Sequence, residues 1–323
     1  MTLSRRGLLG GLAATALWPR SGVALPRIRQ TFGVEAMLLG NAQDAGVPQV
    51  NCFQGHCARV RSGEAPDPRV ACLGLLDHRA GQRFLIDATP DFNAQVEALL
   101  ASGGEKLTGR TVPLHEHLHG ILLTHAHVGH YTGLAELGRE IAAPRGLPLY
   151  VTPSMAAFLS GNAPWDAIVG NGNVELRELT FGQEFALTDR LHVTAYAVPH
   201  RAEYTDTVAY RVRGPERSLL YVPDADSWDG WPVPFETILD RCDLALLDGS
   251  FWSGAELGHR PQSEVPHPPV SLTIERLADR AGAPPVRFVH LNHTNPLWNP
   301  AAAERAALPQ GFEVAETGER HAL

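Results

Sequence analysis

Three histidines fall within six positions of the sequence, directly after a short apolar segment. The segment is 121–124 (Ile-Leu-Leu-Thr), and the histidines are His125, His127 and His130. Four apolar or β-branched residues predict a buried strand, which delivers the side chains after it to one point at its carboxyl end. Imidazole is a ligand for zinc, iron and related ions. The spacing therefore favours a metal site over the alternative, a solvated histidine-rich loop.

Three apolar segments in the second half of the chain also end in a residue that can bind a metal. They are 193–199 before His200, 219–223 before Asp224, and 286–289 before His290. Taken alone, a histidine such as His200 is more often hydrogen-bonded at a sheet edge than bound to a metal. Four strand ends that all carry such residues indicate instead that these side chains meet at one site.

The H-A-H-V-G-H segment at 125–130, followed in order by a histidine, an aspartate and a histidine, resembles the metallo-β-lactamase-fold hydrolases. Their signature is H-x-H-x-D-H between a strand and a helix. The resemblance implies an α/β fold, a four-layer αββα sandwich of the metallo-β-lactamase type. It also implies a first metal bound by His125, His127 and His200, a second bound by His130 and His290, and Asp224 as the bridge that positions the attacking water.

Gly129 stands where this family usually has an aspartate that binds the second metal. This departure puts a full two-metal site in doubt, and Gly129→Asp is expected to raise the occupancy of the second site. Asp87 and Asp226 are candidates to orient the ligating imidazoles through hydrogen bonds. For Asp87, a simple turn or a helix cap is the alternative.

Residues 43–52 (Gln-Asp-Ala-Gly-Val-Pro-Gln-Val-Asn-Cys), 244–252 and 290–296 are similar to the pyrroloquinoline quinone biosynthesis protein B family. In that family and in related cyclic-phosphate phosphodiesterases, closely spaced cysteines hold a structural zinc. The resemblance implies such a site here, with the ligands Cys52, His56, Cys57 and His293. A disulfide between Cys52 and Cys57, or free thiols, are the alternatives. His293 could equally be a surface histidine or a catalytic ligand.

Relatives in these families also place a histidine near the metal as an acid or base. The proline-rich segment 252–269 offers His259 and His267, with a plain surface loop as the alternative for each. Residues 161–172 are predicted to form a loop, 133–142 a helix and 312–315 a last edge strand. Substrate specificity is expected to reside in 156–172 and 252–269.

The overall composition is that of a globular protein that does not bind nucleic acid. The 323 residues are 44% hydrophobic and 19% charged, and the formal net charge is −8. Affinity for a phosphate backbone depends on clustered lysine and arginine, and the chain after residue 24 has no such cluster. We therefore expect a small molecule as the substrate.

The amino terminus resembles a twin-arginine export signal. Ser-Arg-Arg-Gly-Leu-Leu at 4–9 precedes an apolar run to Leu17, and 22–24 are small residues suited to cleavage. A basic amino terminus that arose by chance is the alternative. We expect 1–24 to be a signal peptide and 25–323 a single domain in the periplasm, not inserted into the membrane after signal removal. The sequence leaves a monomer and a homodimer as alternatives.

Three classes of function are compatible with these patterns. The first is a metal-dependent hydrolase of an ester or phosphodiester, in which one or two zinc ions activate a water molecule; iron and manganese are the alternative metals. The second is an iron-dependent oxygenase linked to quinone cofactor biosynthesis, which the second resemblance implies. The third is a non-catalytic metal-binding accessory protein.

Overall fold

Two mixed β-sheets form the centre of the protein, for which we obtained a computed structural model. It describes residues 33–103, 109, 112–257 and 261–323. The first sheet has the strand order β14-β1-β2-β3-β4-β5-β6. Its strands are β1 (Val34–Gly40), β2 (Cys72–Asp77), β3 (Gln82–Ile86), β4 (Gly120–Leu122), β5 (Leu147–Val151), β6 (Val174–Glu178) and β14 (Arg320–Ala322). Strands β3 to β6 are parallel, and the pairs made by β1 are antiparallel.

The second sheet has the order β13-β12-β11-β10-β9-β8-β7. Its strands are β7 (Glu184–Ala186), β8 (His192–Val198), β9 (Thr207–Arg213), β10 (Ser218–Val222), β11 (Leu244–Asp248), β12 (Val286–Val289) and β13 (Phe312–Val314). Strands β7 to β10 pair antiparallel, whereas β10 to β13 are parallel. Because β8 and β10 both pair antiparallel with β9, their carboxyl ends lie at the same edge as that of β12.

Short helices cover the outer faces of the sheets. The α-helices are α1 (Gly55–Arg61), α2 (Phe92–Ser102), α3 (Val128–Tyr131), α4 (Pro153–Gly161), α5 (Trp165–Gly170), α6 (Phe235–Leu239), α7 (Val270–Leu277) and α8 (Ala303–Ala306). The 3₁₀ helices are Leu114–Glu116, Thr132–Leu137, Gly254–Leu257, Gln262–Glu264 and Pro296–Trp298. In the described ranges, no helix is long and apolar enough to cross a membrane.

Alternation along the strands divides the apolar core into three layers. In β3, Phe84 and Ile86 face the second sheet, whereas Leu85 faces the helices that cover the first sheet. In β10, Tyr221 faces the first sheet and Leu220 faces the outer helices of the second. Successive side chains of a strand point to opposite faces, so each sheet is buried on both sides. The predicted four-layer αββα sandwich is confirmed.

Three predicted elements differ in the structure. Residues 165–170, predicted as part of a loop, form α5, in which Trp165 and Ile168 bury one face at helical spacing. The predicted helix 133–142 is instead a 3₁₀ helix, Thr132–Leu137, which follows α3, and a turn over 138–142. Strand β13 lies at a sheet edge but is not the last strand, because β14 pairs with β1. The predicted signal over 1–24 lies outside the described residues.

Candidate metal centre

A single buried carboxylate, that of Asp224, lies at the centre of a histidine cluster. Its Oδ2 atom is 3.4 Å from Nε2 of His125 and 3.2 Å from Nε2 of His200. The same oxygen is 3.9 Å from Nε2 of His130 and 4.0 Å from Nε2 of His290. Asp224 follows β10, and the four histidines follow β4, β8 and β12. One oxygen is therefore shared between two groups of imidazole nitrogens.

The first group is His125, His127, His200 and Asp224, each of which offers one ligand atom within 4.8 Å of the others. Nδ1 of His127 lies 3.0 Å from Nε2 of His200. Nε2 of His125 is buried and has no hydrogen-bond partner in the described part of the chain. A buried nitrogen without a partner carries a desolvation cost that a bound cation would remove. The geometry of this group therefore fits a metal ion.

The second group contains an aspartate that the sequence pattern does not predict as a ligand. It consists of Asp44, His130, His290 and Asp224. Oδ1 of Asp44 is 3.0 Å from Nε2 of His130 and 3.0 Å from Nε2 of His290. Asp44 lies in the loop after β1, 86 positions before His130. This loop brings a carboxylate into the cluster from a segment far from the histidine motif.

Gly129 explains why the carboxylate comes from this loop. A Cβ atom on Gly129 would lie 2.4 Å from Cα and 2.6 Å from Cγ of Asp44, closer than real Cβ contacts allow. The Asp44 loop thus occupies the space that a side chain at position 129 would need. With this packing, Gly129→Asp is expected to displace the aspartate already present and not to raise second-site occupancy.

Each of the five imidazoles has its outer nitrogen held by a hydrogen bond. The partners are Thr124 Oγ1 for His125 (3.0 Å), Glu203 for His127 (2.9 Å), Asp87 for His130 (2.7 Å), Asp226 for His200 (2.7 Å) and Ser250 Oγ for His290 (3.0 Å). Such partners fix the tautomer and the orientation of metal-binding histidines. Asp87 and Asp226 therefore contact imidazoles as predicted, and the inner nitrogens all face Asp224 or a neighbouring ring.

Two residues at the strand ends have backbone angles that are unusual for residues with a side chain. Asp87 follows β3 with φ of 72°, and His290 follows β12 with φ of 63°. Left-handed conformations cost energy in non-glycine residues and concentrate at functional sites. Asp87 also accepts hydrogen bonds from the backbone and hydroxyl of Thr124 at 2.8 and 2.9 Å. The surrounding structure therefore holds Asp87 and His290 in backbone conformations that are locally unfavourable.

Burial and neighbouring charges displace the protonation equilibria of the cluster. Burial acts to lower the pKa of His200, but the nearby carboxylates, first that of Asp224, raise it to about 10. Burial acts to raise the pKa of Asp224, but the histidines around it, first His200, hold it well below its ordinary value. Burial, followed by the charge of His130, lowers the pKa of His125 well below its ordinary value. Asp224 and His125 are thus in the forms that bind cations, whereas His200 would have to release a proton when a metal binds.

His267, one of the two predicted acid–base residues, lies beside this centre. Its Nδ1 is 2.7 Å from Asp248 Oδ2 and 3.3 Å from Asp224 Oδ1, and the side chain is buried. Asp248 ends β11, so a fourth strand end of the second sheet, after those of β8, β10 and β12, supports Asp224 through this histidine. The other predicted residue, His259, lies outside the described residues.

Two cysteines and a histidine form a second, separate cluster. The ligand atoms of Cys52, Cys57 and His293 lie within 4.8 Å of one another, and Cys57 Sγ is 3.7 Å from Nδ1 of His293. Both cysteines are free thiols, so the disulfide alternative is not formed. His56, predicted as a ligand, is not in this group; its ring stacks on Trp298 with centroids 4.8 Å apart.

The position of His56 follows from helix geometry. His56 and Cys57 are consecutive residues of α1, and consecutive side chains in an α-helix point about 100° apart. Cys57 faces the cluster and is buried, so the His56 side chain points in a different direction and its ring nitrogens do not join the group. The thiols and His293 supply three soft or borderline ligands, which suits zinc.

Comparisons with known proteins give a consistent result. The family model described as "Beta-lactamase superfamily domain" matches residues 82–319. The chain is 30% identical to Coenzyme PQQ synthesis protein B of Pseudomonas aeruginosa over 87% of its own length and 97% of the relative. It is 27% identical to the Ruegeria pomeroyi protein of the same name, over 88% and 98%.

A solved structure is similar over nearly the whole chain. The crystal structure of Zn²⁺-bound PqqB from Methylobacterium extorquens superposes with a TM-score of 0.74 at 23% identity, covering 90% of this chain and all of the other. At this level of identity the superposition supports the fold. The fold and the sequence comparisons therefore agree on one family.

Proposed function

Because the chain belongs to the beta-lactamase superfamily and to the coenzyme PQQ synthesis protein B-like family within it, we propose that it is a metal-dependent hydrolase of an ester or phosphodiester-type substrate. The observation that carries the proposal is the position of Asp224. One of its oxygens lies within 4.0 Å of four imidazole nitrogens that belong to two separate groups. In this position the Asp224 carboxylate would contribute a ligand atom to each of the two groups.

We assign the two groups to two zinc ions. His125, His127 and His200 would hold the first, and Asp44, His130 and His290 the second, with Asp224 shared. A bound divalent ion lowers the pKa of water toward about 7 and polarises the carbonyl or phosphoryl oxygen. The zinc-bound state of the Methylobacterium relative supports this choice of metal.

The residues of the chain orient the reactants and move the proton. Asp224 would hold the attacking water in line with the scissile bond. The oxygen of the water bonds to the acyl carbon or phosphorus as the bond to the leaving oxygen breaks; one water proton passes to the leaving oxygen and the other to solvent. His267, fixed by Asp248 at 2.7 Å, is the proposed proton donor to the leaving oxygen, with His259 as the alternative.

A second candidate is an iron-dependent oxygenase in quinone cofactor formation. The names of the curated relatives, coenzyme PQQ synthesis protein B, support the link to quinone cofactor formation. A set of imidazole and carboxylate ligands also accepts iron. The two candidates differ in metal and in co-substrate.

The location of the protein is proposed from the sequence. The paired arginines at 5 and 6, followed by an apolar run, support export by the twin-arginine route to the periplasm. That route carries folded proteins, so the metal would be loaded before export. A fusion of residues 1–30 to a reporter, compared with the same fusion carrying Arg5→Lys and Arg6→Lys, tests this proposal.

Metal analysis combined with activity assays tests the function. The purified protein should contain zinc, hydrolyse chromogenic esters, lactones or phosphodiesters, lose activity with a chelator and regain it with Zn²⁺. Iron together with oxygen consumption would instead support the oxygenase. Tightly bound metal without turnover on any of these substrates would indicate the non-catalytic accessory role.

A further inference from the structure

A cavity of about 550 Å³ opens beside the metal centre. Asp44 and His127, one from each metal-binding group, line its inner end. This volume lies within the range of cavities that bind small molecules, which is about 300–1,000 Å³. A molecule bound here would reach the ligands of both groups.

Aromatic side chains form one wall of this cavity. The ring of Tyr131 lies 5.5 Å from that of Phe158 and 5.1 Å from that of Trp165, and Phe158 lies 5.6 Å from Tyr204. Tyr204 is 65% exposed and Val128, also in the lining, is 62% exposed. Large apolar surfaces left open beside a reactive centre mark a place where an apolar group binds. The wall suits a flat aromatic body.

The cavity lining also contains a cation. Arg201 directly follows His200 in the chain, and its buried Nε has no hydrogen-bond partner among the described residues. The nearby carboxylate of Glu203 is 2.9 Å from Nε2 of His127, and it acts on Arg201 through its charge without satisfying Nε. A guanidinium presents a planar fork of donors that matches carboxylate and phosphate oxygens. An anionic group on a bound molecule would supply the hydrogen-bond acceptor that Nε of Arg201 lacks.

We propose that this cavity is the substrate site and that the substrate is an ester or lactone with an aromatic body and an anionic oxyacid group. The anion binds Arg201, the aromatic body lies against Phe158 and Tyr204, and the scissile bond lies toward Asp44 and His127. The inference rests on the proposed hydrolase function, because it takes the metal centre as the reacting end of the cavity.

Binding of substrate fragments to the metal-loaded protein tests the inference without requiring turnover. Calorimetry would compare phenylacetate, its neutral isostere phenylacetamide, and phenyl phosphate. We expect an anion to bind at least about tenfold more tightly than the amide, since a charge-assisted hydrogen bond stabilises it. Whichever of phenylacetate and phenyl phosphate binds more tightly shows whether the preferred anionic group is a carboxylate or a phosphate.

Variants separate the role of Arg201 from binding of the anion to the metal. Arg201→Gln should weaken binding of the anion about tenfold and leave the affinity for the amide and the metal content unchanged. Arg201→Lys should restore part of the lost affinity. Phe158→Ala should weaken binding of the acid and of the amide to the same extent. Arg139→Gln, which changes an exposed arginine outside the cavity lining, is the matched control.

Two results would overturn the inference: equal affinity for acid and amide, or anion affinity unchanged in Arg201→Gln. Failure of the hydrolase function would appear differently. The binding pattern would then persist while no ester, lactone or phosphodiester is turned over.

Discussion

The two candidate metal-binding clusters of this protein are built in contrasting ways. The imidazole–carboxylate centre uses strand ends of both sheets, is almost wholly buried, and has a hydrogen-bond partner behind every one of its five imidazoles. The thiol cluster uses a loop, the short helix α1 and the turn after β12, and its members are mostly half-buried. The first cluster holds its side chains at fixed positions, as the proposed chemistry requires, whereas the second ties segments of the chain together.

The segment tied by the thiol cluster is the one that delivers Asp44. The loop after β1 carries Asp44 and then Cys52, and His290 and His293 are three residues apart. The backbone N–H of Gln43 donates to the carbonyl of Leu291 at 3.0 Å, and the Asn292 amide donates to the side chain of Gln43. Loss of the thiol cluster should therefore loosen the second metal group before the first.

Asp224→Asn should have the largest effect. Asparagine keeps the volume but removes the charge shared by both groups, so both ions should be lost and hydrolysis should fall by about a thousandfold or more. Metal content by mass spectrometry and turnover of a chromogenic substrate measure this. Asp229→Asn, which changes an exposed carboxylate paired with Arg276, is the control. Full metal content in Asp224→Asn would show that Asp224 is not a shared ligand.

Gly129→Ala should have the next largest effect, through packing. The added methyl group would meet the Asp44 backbone at 2.4 Å, which should cost about 1–3 kcal/mol of unfolding free energy and displace Asp44 from the second group. Denaturant unfolding and metal stoichiometry measure the two consequences. Gly161→Ala, with open space around its Cβ position, is the matched control and should be tolerated. Equal behaviour of the two variants would contradict the close approach of Asp44.

The contrast between the clusters also separates what the sequence could and could not predict. His125, His200, Asp224 and His290 each follow an apolar strand, and a strand end fixes where the next side chain points. Asp44 could not be found this way, because a turn-rich loop places it and the contact that selects it, with Gly129, joins positions 85 apart in the chain. Local pattern predicts side chains on regular elements and fails where a loop supplies the ligand.

Tertiary packing, which a local sequence pattern does not show, also explains two other differences between prediction and structure. His56 has the right residue type beside a cysteine, but the rotation of α1 turns it onto Trp298. The composition of 161–172 predicts a loop, although buried Trp165 and Ile168 form a helical face within it. Short helices are stabilised by tertiary packing more than by their own propensity, so their sequences carry a weak signal.

Cys57→Ser tests the tying role of the thiol cluster. Serine is a poor zinc ligand, so the variant should lose any ion of this cluster and lower the Tm by about 5 °C. Activity should fall less than tenfold, since the groups around Asp224 remain. Cys242→Ser, which changes a half-buried thiol outside the cluster, is the control. Loss of the first-group ion in Cys57→Ser would mean that the two clusters are one cooperative unit.

Glu203→Gln should have the smallest effect because Glu203 is the most exposed of the residues that hold an imidazole. Its side chain is 48% exposed, whereas Asp87, which holds His130, is fully buried. The His127 hydrogen bond lowers the pKa of Glu203, so at neutral pH the ionised form orients the ring. The amide can still accept a hydrogen bond, and we expect a loss of only a few-fold in metal affinity, within the range for such partners.

Chelator competition measures the metal affinity of the variant, with Glu175→Gln, another exposed and ion-paired glutamate, as the control. A loss as large as that of Asp87→Asn would show that burial of the partner does not set its contribution, and the contrast between buried and exposed support would fail.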